Sequence, residues 1–270
     1  MTAAGAPELQ LWLLPRDEDR LRHHCETGLR LLSEAERERS ARFANAARAR
    51  RFILGRVLMR RALGSHLGVD PASLVLVPNV AGKPALVDPA RPGLAFNLAH
   101  SRRESAFALA QGEGLGIDLE PIDRVRGILR IAETFYAAAE RQRLAWPGGH
   151  DVAAALRLWT LKEAVIKAVG GTVWQGLREV QLATSARRIA WLAPPPAGDE
   201  AVWSLALGCL HCDHWLALAL RSTAAPATGL SISTRVLDDA GGGEMPFALQ
   251  LSSGGVRLGS RIGQSPARGA

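Results

Sequence analysis

Two stretches of this sequence space their apolar residues as a helix does. Each closes on glycine and is followed by short runs of alternating apolar residues. The first runs from Ala49 to Leu67, with Phe52, Ile53, Val57, Leu58 and Leu63 in register, and Gly68 and Pro71 stop it. The second starts at the capping residue Asp151 and runs to Val169, closed by Gly170-Gly171. Strand-like runs follow the first helix at Leu74–Val77, Ala85–Val87, Leu94–Leu98, Ser105–Ala110 and Leu115–Glu120. Others follow the second at Val180–Ala183, Ala190–Leu192, Val202–Leu210 and Trp215–Leu220. Helices followed by strands, twice over, predict an α+β protein of two pseudo-symmetric lobes, each with helices packed on a small antiparallel sheet. The expected lobes are residues 1–111 and 112–222.

Shorter signals fill in the outline. Leu9–Leu14 reads as a first strand, and Ser33-Glu34-Ala35-Glu36 is a capping box that starts a helix. Arg126–Tyr136 and Ala137–Ala145 are helical in pattern. From about Thr223 the chain turns rich in Gly, Ser, Ala and Pro, so residues 223–270 are expected to form a disordered tail, with at most a hairpin within Pro246–Leu258.

Composition narrows the class of partner. No run approaches ~18 consecutive apolar residues, and the apolar stretch at Leu9–Leu14 has no basic segment before it, so no membrane span or leader is expected. The three cysteines, Cys25, Cys209 and Cys212, suit a reducing, cytoplasmic compartment. The formal charge is +7, and Arg16 to Arg61 holds 13 arginines against seven acidic residues. A positive field of this kind favours anionic partners. Only three of the 33 basic residues are lysine: Lys83, Lys162 and Lys167. Their survival in so arginine-rich a chain points to places where a compact ammonium is required.

Five groups of residues carry candidate chemistry. In Gly116-Ile117-Asp118-Leu119-Glu120, a strand places Asp118 and Glu120 on one face. Paired carboxylates suit a hard cation such as Mg²⁺, although the same pattern also fits a solvated strand edge. In Trp159-Thr160-Leu161-Lys162-Glu163-Ala164-Val165-Ile166-Lys167, helical spacing puts Trp159, Glu163 and Lys167 on one face. That face offers a third carboxylate and a cation for phosphate, or an ordinary surface ion pair. Phe96-Asn97-Leu98-Ala99-His100-Ser101 ends a strand in polar groups, and Gly82-Lys83-Pro84 sets an ammonium on a turn. Arg37, Arg39, Arg42, Arg48, Arg50 and Arg51 add guanidinium forks suited to phosphates. Cys209-Leu210-His211-Cys212-Asp213-His214 evokes zinc, but it lies between two apolar strands with no second cysteine pair, so it reads as a hairpin tip.

Taken in chain order from about Glu34 to Leu220, the arginine-rich helix, Gly82-Lys83-Pro84, the Phe96–Ser101 run, the Gly116–Glu120 run and the Trp159–Lys167 run resemble the 4′-phosphopantetheinyl transferases of the surfactin-synthetase-activating type. The resemblance implies two α+β lobes with coenzyme A and the active site between them. It implies transfer of the phosphopantetheine arm of coenzyme A to a serine of an acyl or peptidyl carrier protein, releasing 3′,5′-ADP. By position, Asp118, Glu120 and Glu163 would ligate Mg²⁺ and Lys167 would contact the pyrophosphate. Glu163, directly or through water, would take the serine proton. Lys83, Asn97 and His100 would hold coenzyme A, with Arg39 and Arg51 near its 3′-phosphate. Three departures stand out: Ala99 where the family usually has serine, Glu36 where a basic residue is frequent, and Ala168–Val173 in place of a Gly-x-Gly loop.

Such an enzyme would be a cytoplasmic monomer meeting acidic carrier proteins or domains, without membrane or nucleic-acid partners. A carrier-binding module without turnover is one rival; intact acidic residues argue against it. A coenzyme A pyrophosphate hydrolase is another. A nucleic-acid binder would need interleaved aromatics, which one Tyr and six Phe do not supply.

Overall fold

The computed structural model describes residues 8–79, 83–87, 93–146, 149–185, 188–196, 202–222, 230–237, 247–253 and 256–258. The first half contains β1 (Glu8–Leu13), α1 (Glu18–Gly28), α2 (Glu34–Ala41), α3 (Ala46–Leu67), β2 (Leu76–Pro78), β3 (Pro84–Leu86), β4 (Leu94–His100) and β5 (Ser105–Gln111). Then come β6 (Gly114–Pro121), α4 (Ile128–Phe135), α5 (Ala138–Leu144), β7 (Ala145–Trp146), β8 (Gly149–His150), α6 (Val152–Val169), α7 (Val173–Glu179), β9 (Leu182–Thr184) and β10 (Ile189–Trp191). Last are β11 (Val202–Leu210), β12 (His214–Ser222), β13 (Leu230–Val236), β14 (Phe247–Ser252) and β15 (Val256–Leu258).

Two sheets stand face to face. One has the order β15-β13-β1-β5-β4, the other β14-β11-β12-β6. Alternation along the strands decides what each face meets. Leu9, Leu11 and Leu13 of β1 and Ala106, Ala108 and Ala110 of β5 pack against Leu115, Ile117 and Leu119 of β6 and Leu216, Leu218 and Leu220 of β12. Trp12, Phe107 and Leu109 point the other way, onto Leu54, Val57 and Leu58 of α3. On the far side of the second sheet, Leu205, Leu207, Ala217 and Ala219 receive Leu156, Leu161 and Val165 of α6. The result is four layers, helix–sheet–sheet–helix, with the apolar area removed from water between each pair supplying the main drive to assemble.

The helix ends follow the sequence signals. Ser33 accepts from Glu36 N, and Glu36 returns a carboxylate oxygen to Ser33 N, so the capping box is complete. Gly68 and Gly170 close α3 and α6 in the left-handed conformation, which glycine adopts without steric cost. Helix α1 is capped by Asp17, and helix α7 had no counterpart in the sequence pattern.

The expected disordered tail needs correction. Within 223–270, the described segments are strands. β13 lies parallel to β1, with Glu8 opposite Ser231 and Leu13 opposite Val236. Leu230 and Ile232 are buried. The physical reason is the run Leu230-Ser231-Ile232-Ser233-Thr234-Arg235-Val236, whose period of two supplies an apolar face despite a Ser-rich composition. β15 extends the same edge in parallel and β14 pairs with β11, so these two strands join different sheets instead of forming a hairpin. The first sheet is therefore mixed, not purely antiparallel. The rest of the tail lies outside the described residues, as does Gly82 of the Gly-Lys-Pro turn.

Candidate active site

The acidic centre is built by a close helix–strand approach. Odd residues of β6 fill the core between the sheets, so Gly114, Gly116, Asp118 and Glu120 face α6. A Cβ on Gly116 would overlap the carbonyl oxygen of Ala164, and one on Gly114 that of Ala168. The two glycines let the helix backbone lie directly on the strand. Glu163 and Lys167, each one residue before those alanines, are thereby brought beside Asp118. Lys167 Nζ lies 2.5 Å from Asp118 Oδ1. Trp159 Nε1 donates to Glu120 Oε1 at 2.9 Å, Arg124 also pairs with Glu120, and the Arg124 guanidinium lies 5.1 Å from the Trp159 ring centre.

The electrostatics are those of carboxylates crowded out of water. Burial, and then the charge of Asp118, raise the Glu163 carboxyl to about 7, with Lys167 acting against the rise. Burial also raises Asp118, outweighing Lys167, and burial plus Asp118 raises Glu120. Asp118 Oδ2 is buried with no hydrogen-bond partner. A buried oxygen left without a donor is costly, and a cation would satisfy it. The set Asp118, Glu120 and Glu163 therefore fits a hard divalent ion in chemistry. Its oxygens do not all lie within 4.8 Å of one another; among the described residues the group that meets that limit is Glu104, Asp213 and His214. There the Arg16 guanidinium already bridges Glu104 and Asp213.

Beside the carboxylates opens a cationic cleft of roughly 250 Å³, lined by Arg39, Arg56, Lys83, Asn97, His100 and Lys167 together with Phe52 and Phe96. Lys83 Nζ donates to the carbonyl oxygen of Lys167 at 2.7 Å, which ties the β2–β3 turn to the end of α6. Burial and the charge of Lys167 lower the Lys83 ammonium. His100 Nδ1 lies 2.8 Å from Ser105 Oγ, and its ring rests on α3 at Gly55, where a Cβ would come within 2.6 Å of Cε1. Burial first, then the charges of Arg51, Lys167 and Arg56, pull His100 down to about 4, so the imidazole is neutral at pH 7. Asn97 Oδ1 accepts from Ile117 N at 3.3 Å and pins β4 to β6.

Not every residue named from the sequence meets here. Arg51 stands outside this cleft: its Nη1 reaches the Ser101 carbonyl at 3.4 Å, and it lines a larger neighbouring cleft of roughly 670 Å³. Lys162 is fully buried on the other side of α6, 2.7 and 2.9 Å from the two oxygens of Glu140, with Tyr136 under its ammonium. It bolts α5 to α6, and Glu140 also accepts from Leu182 N. Glu36, the departure from a basic residue, is likewise internal, holding Arg60 at 2.8 Å with Arg56 3.6 Å away. Sequence reasoning missed Arg56 and Phe52. The guanidiniums of Arg39 and Arg56 lie 5.3 and 5.0 Å from the Phe52 ring centre. The available signal was Arg56 following Gly55, the one position on α3 that admits the His100 ring.

Comparison with known proteins agrees with this arrangement. Residues 114–219 match the family model described as the 4′-phosphopantetheinyl transferase superfamily, and residues 20–111 match that of the 4′-phosphopantetheinyl transferase N-terminal region. The 4′-phosphopantetheinyl transferase HetI of Nostoc is 34% identical over 202 residues, covering 73% of this chain and 81% of the relative. A phosphopantetheinyl transferase of Thraustochytrium is 27% identical over 223 residues, 78% of this chain and 76% of that one. The 4′-phosphopantetheinyl transferase Sfp of Bacillus subtilis is 30% identical over 140 residues, 52% of this chain and 60% of its own length. With the matched regions enclosing both the acidic centre and the cationic cleft, the chain belongs to the 4′-phosphopantetheinyl transferase superfamily.

Proposed function

We propose that this protein moves the 4′-phosphopantetheine arm of coenzyme A onto a serine of an apo acyl or peptidyl carrier protein and releases 3′,5′-ADP, with Mg²⁺ as cofactor. The observation that carries the reading is the contact between two half-sites: three carboxylates crowded around Lys167, opening onto a cleft walled by Arg39, Arg56, Lys83 and His100. Coenzyme A presents a pyrophosphate and a separate 3′-phosphate, and the two half-sites suit these in turn. Asp118, Glu120 and Glu163 would hold the metal, which when bound draws electron density from phosphate oxygens. Asn97 and Lys83 frame the nucleotide. Arg51, one turn from the cleft wall, acts on that region through its charge.

The chain's own groups supply the rest. Serine is a poor nucleophile at neutral pH. Glu163, directly or through a water, accepts its proton. Lys167 offsets charge on the oxygen of the leaving 3′,5′-ADP, where charge grows as the bond breaks. Neutral His100 keeps one ring N–H for a phosphate oxygen without adding to a wall already rich in cations. Residues 1–111 and 112–222 act as the two lobes that meet at the site; since one chain supplies both, the working form is a monomer in the cytoplasm. No helix among the described residues is long and apolar enough to cross a membrane.

The test is mass spectrometry of apo carrier proteins incubated with coenzyme A, Mg²⁺ and either the wild type or Asp118→Ala. Transfer by the wild type, and none by a variant that keeps its melting temperature, supports the reading. Full transfer by the variant would sink the metal assignment, and phosphopantetheine released without carrier would make the protein a hydrolase.

A further inference from the structure

We propose that a closed ring of polar side chains, Ser101, His214, Asp213, Arg16 and Glu104, is the device that sets the spacing between the cationic cleft and the carboxylate centre, with His214 as its central positioning residue. The inference rests on the reading above, in which coenzyme A spans both half-sites.

The ring closes through five links. Ser101 Oγ is 2.9 Å from His214 Nε2, and His214 Nδ1 is 2.7 Å from Asp213 Oδ1. Asp213 accepts from Arg16 Nη2 at 2.6 and 2.8 Å, and Arg16 Nε donates to Glu104. Glu104 N returns to Ser101 Oγ at 3.0 Å, while Ser101 N donates to the Glu104 carbonyl at 2.9 Å. Ser101, Glu104 and His214 are all more than nine-tenths buried. The segments come from three separate turns: the one after β1, the one between β4 and β5, and the tip between β11 and β12.

Its placement gives the ring a role beyond stability. Ser101 directly follows His100 on the cleft wall, and its carbonyl also receives Arg51. His214 starts β12 opposite Pro121; the next positions set Trp215 opposite Glu120 and Ala217 opposite Asp118. One end of the ring is thus a single residue from the cleft, and the other a single residue pair from the carboxylates. Apart from the Asn97–Ile117 hydrogen bond, the contact described between the sheets elsewhere is apolar and nondirectional. A polar network that is buried at Ser101, Glu104 and His214, with each member partnered, favours one geometry.

The order Ser–His–Asp is also that of a hydrolytic triad. Here Ser101 Oγ accepts from both Arg103 N and Glu104 N. That leaves the Ser101 proton to be donated to His214 Nε2 in the tautomer whose Nδ1–H faces Asp213. With both lone pairs committed, the hydroxyl is a strut and not a nucleophile. A ligand held at two points gains affinity from the fixed spacing of those points, whereas a ligand held at one does not.

The experiment compares wild type and His214→Phe in three titrations: Mn²⁺ alone by electron spin resonance, 3′-AMP alone by calorimetry, and coenzyme A with Mn²⁺. We expect the variant to lose about tenfold or more in coenzyme A affinity and to keep its affinity for Mn²⁺ and for 3′-AMP. His214→Gln, whose amide can still bridge a hydroxyl and a carboxylate, should recover most of the loss. Should His214→Phe not fold, Arg16→Gln at the more exposed side of the ring carries the same differential. Equal weakening of all three ligands, or no change in any, overturns the proposal. A wild type that binds coenzyme A no better than 3′-AMP overturns the coenzyme A reading and this inference with it.

Discussion

Replacing Glu163 with glutamine keeps the shape of the side chain and removes its charge, which isolates what that charge costs the fold. Burial and Asp118 raise the folded carboxyl from 4.5 to about 7. A carboxyl raised by folding stabilises the protein while protonated in both states, and that contribution is lost as pH climbs through the folded value. The window therefore opens near 4.5 and closes just above 7. At 1.36 kcal/mol per pH unit, full ionisation costs on the order of 3 kcal/mol, or roughly 6–12 °C in melting temperature for a chain of this size. The assay is a set of thermal melts in chelator at pH 5, 6, 7 and 8. Glu163→Gln should match the wild type at pH 5 and exceed it progressively to pH 8, while transfer is lost. Added Mg²⁺ should raise the wild-type melt at pH 8 far more than the variant's. A stability difference independent of pH, or a variant weaker than wild type at pH 8, would refute the idea that Glu163 is a carboxylate held in strain for its task.

Lys167→Ala should lower kcat by roughly 10²-fold, the cost of one lost oxyanion donor, and leave carrier Kd nearly unchanged; lost carrier affinity at normal kcat would move Lys167 to the docking surface. Lys167→Arg should rescue only in part, because a planar fork does not replace a point charge. Gly116→Ala should displace α6 through the Ala164 carbonyl and reduce both melting temperature and turnover; near-normal values for both would disprove the close approach. Truncation after Ser222 removes buried Leu230 and Ile232, worth about 1.5–3 kcal/mol each, and should lower the melting temperature by roughly 10 °C; an unchanged melt would mean that β13 does not pair with β1.

The parts of this protein legible in its sequence are those where one local rule acts alone. The capping box at Ser33, the glycine stops at Gly68 and Gly170, and the alternation of Gly116 to Glu120 each found their place. Residues whose role depends on a distant partner were misjudged. The scarcity of lysine marked Lys162 as a place that needs a compact ammonium, but its partner Glu140, which gives that place a structural role, lies 22 positions away. Arg51 and Arg56 look alike in a helical pattern; only the packing of α3 on His100 turns Arg56 into the cleft. The tail was judged by composition, which averages away the alternation in Leu230–Val236 that places it against β1.

The parallel pairing of β13 with β1 also has a consequence during synthesis. Ser231 is made more than 220 residues after its neighbour Glu8. Until β13 is made, β1 has an open edge, an unpaired row of backbone donors and acceptors flanked by Leu9, Leu11 and Leu13. The first sheet therefore gains this strand only after β6, β11 and β12 of the second have been made, and this late pairing raises the contact order of the chain. A fragment lacking β13 would carry that edge permanently, so the smallest well-behaved piece of this chain extends past the carboxylate centre to a strand that follows it by more than sixty residues.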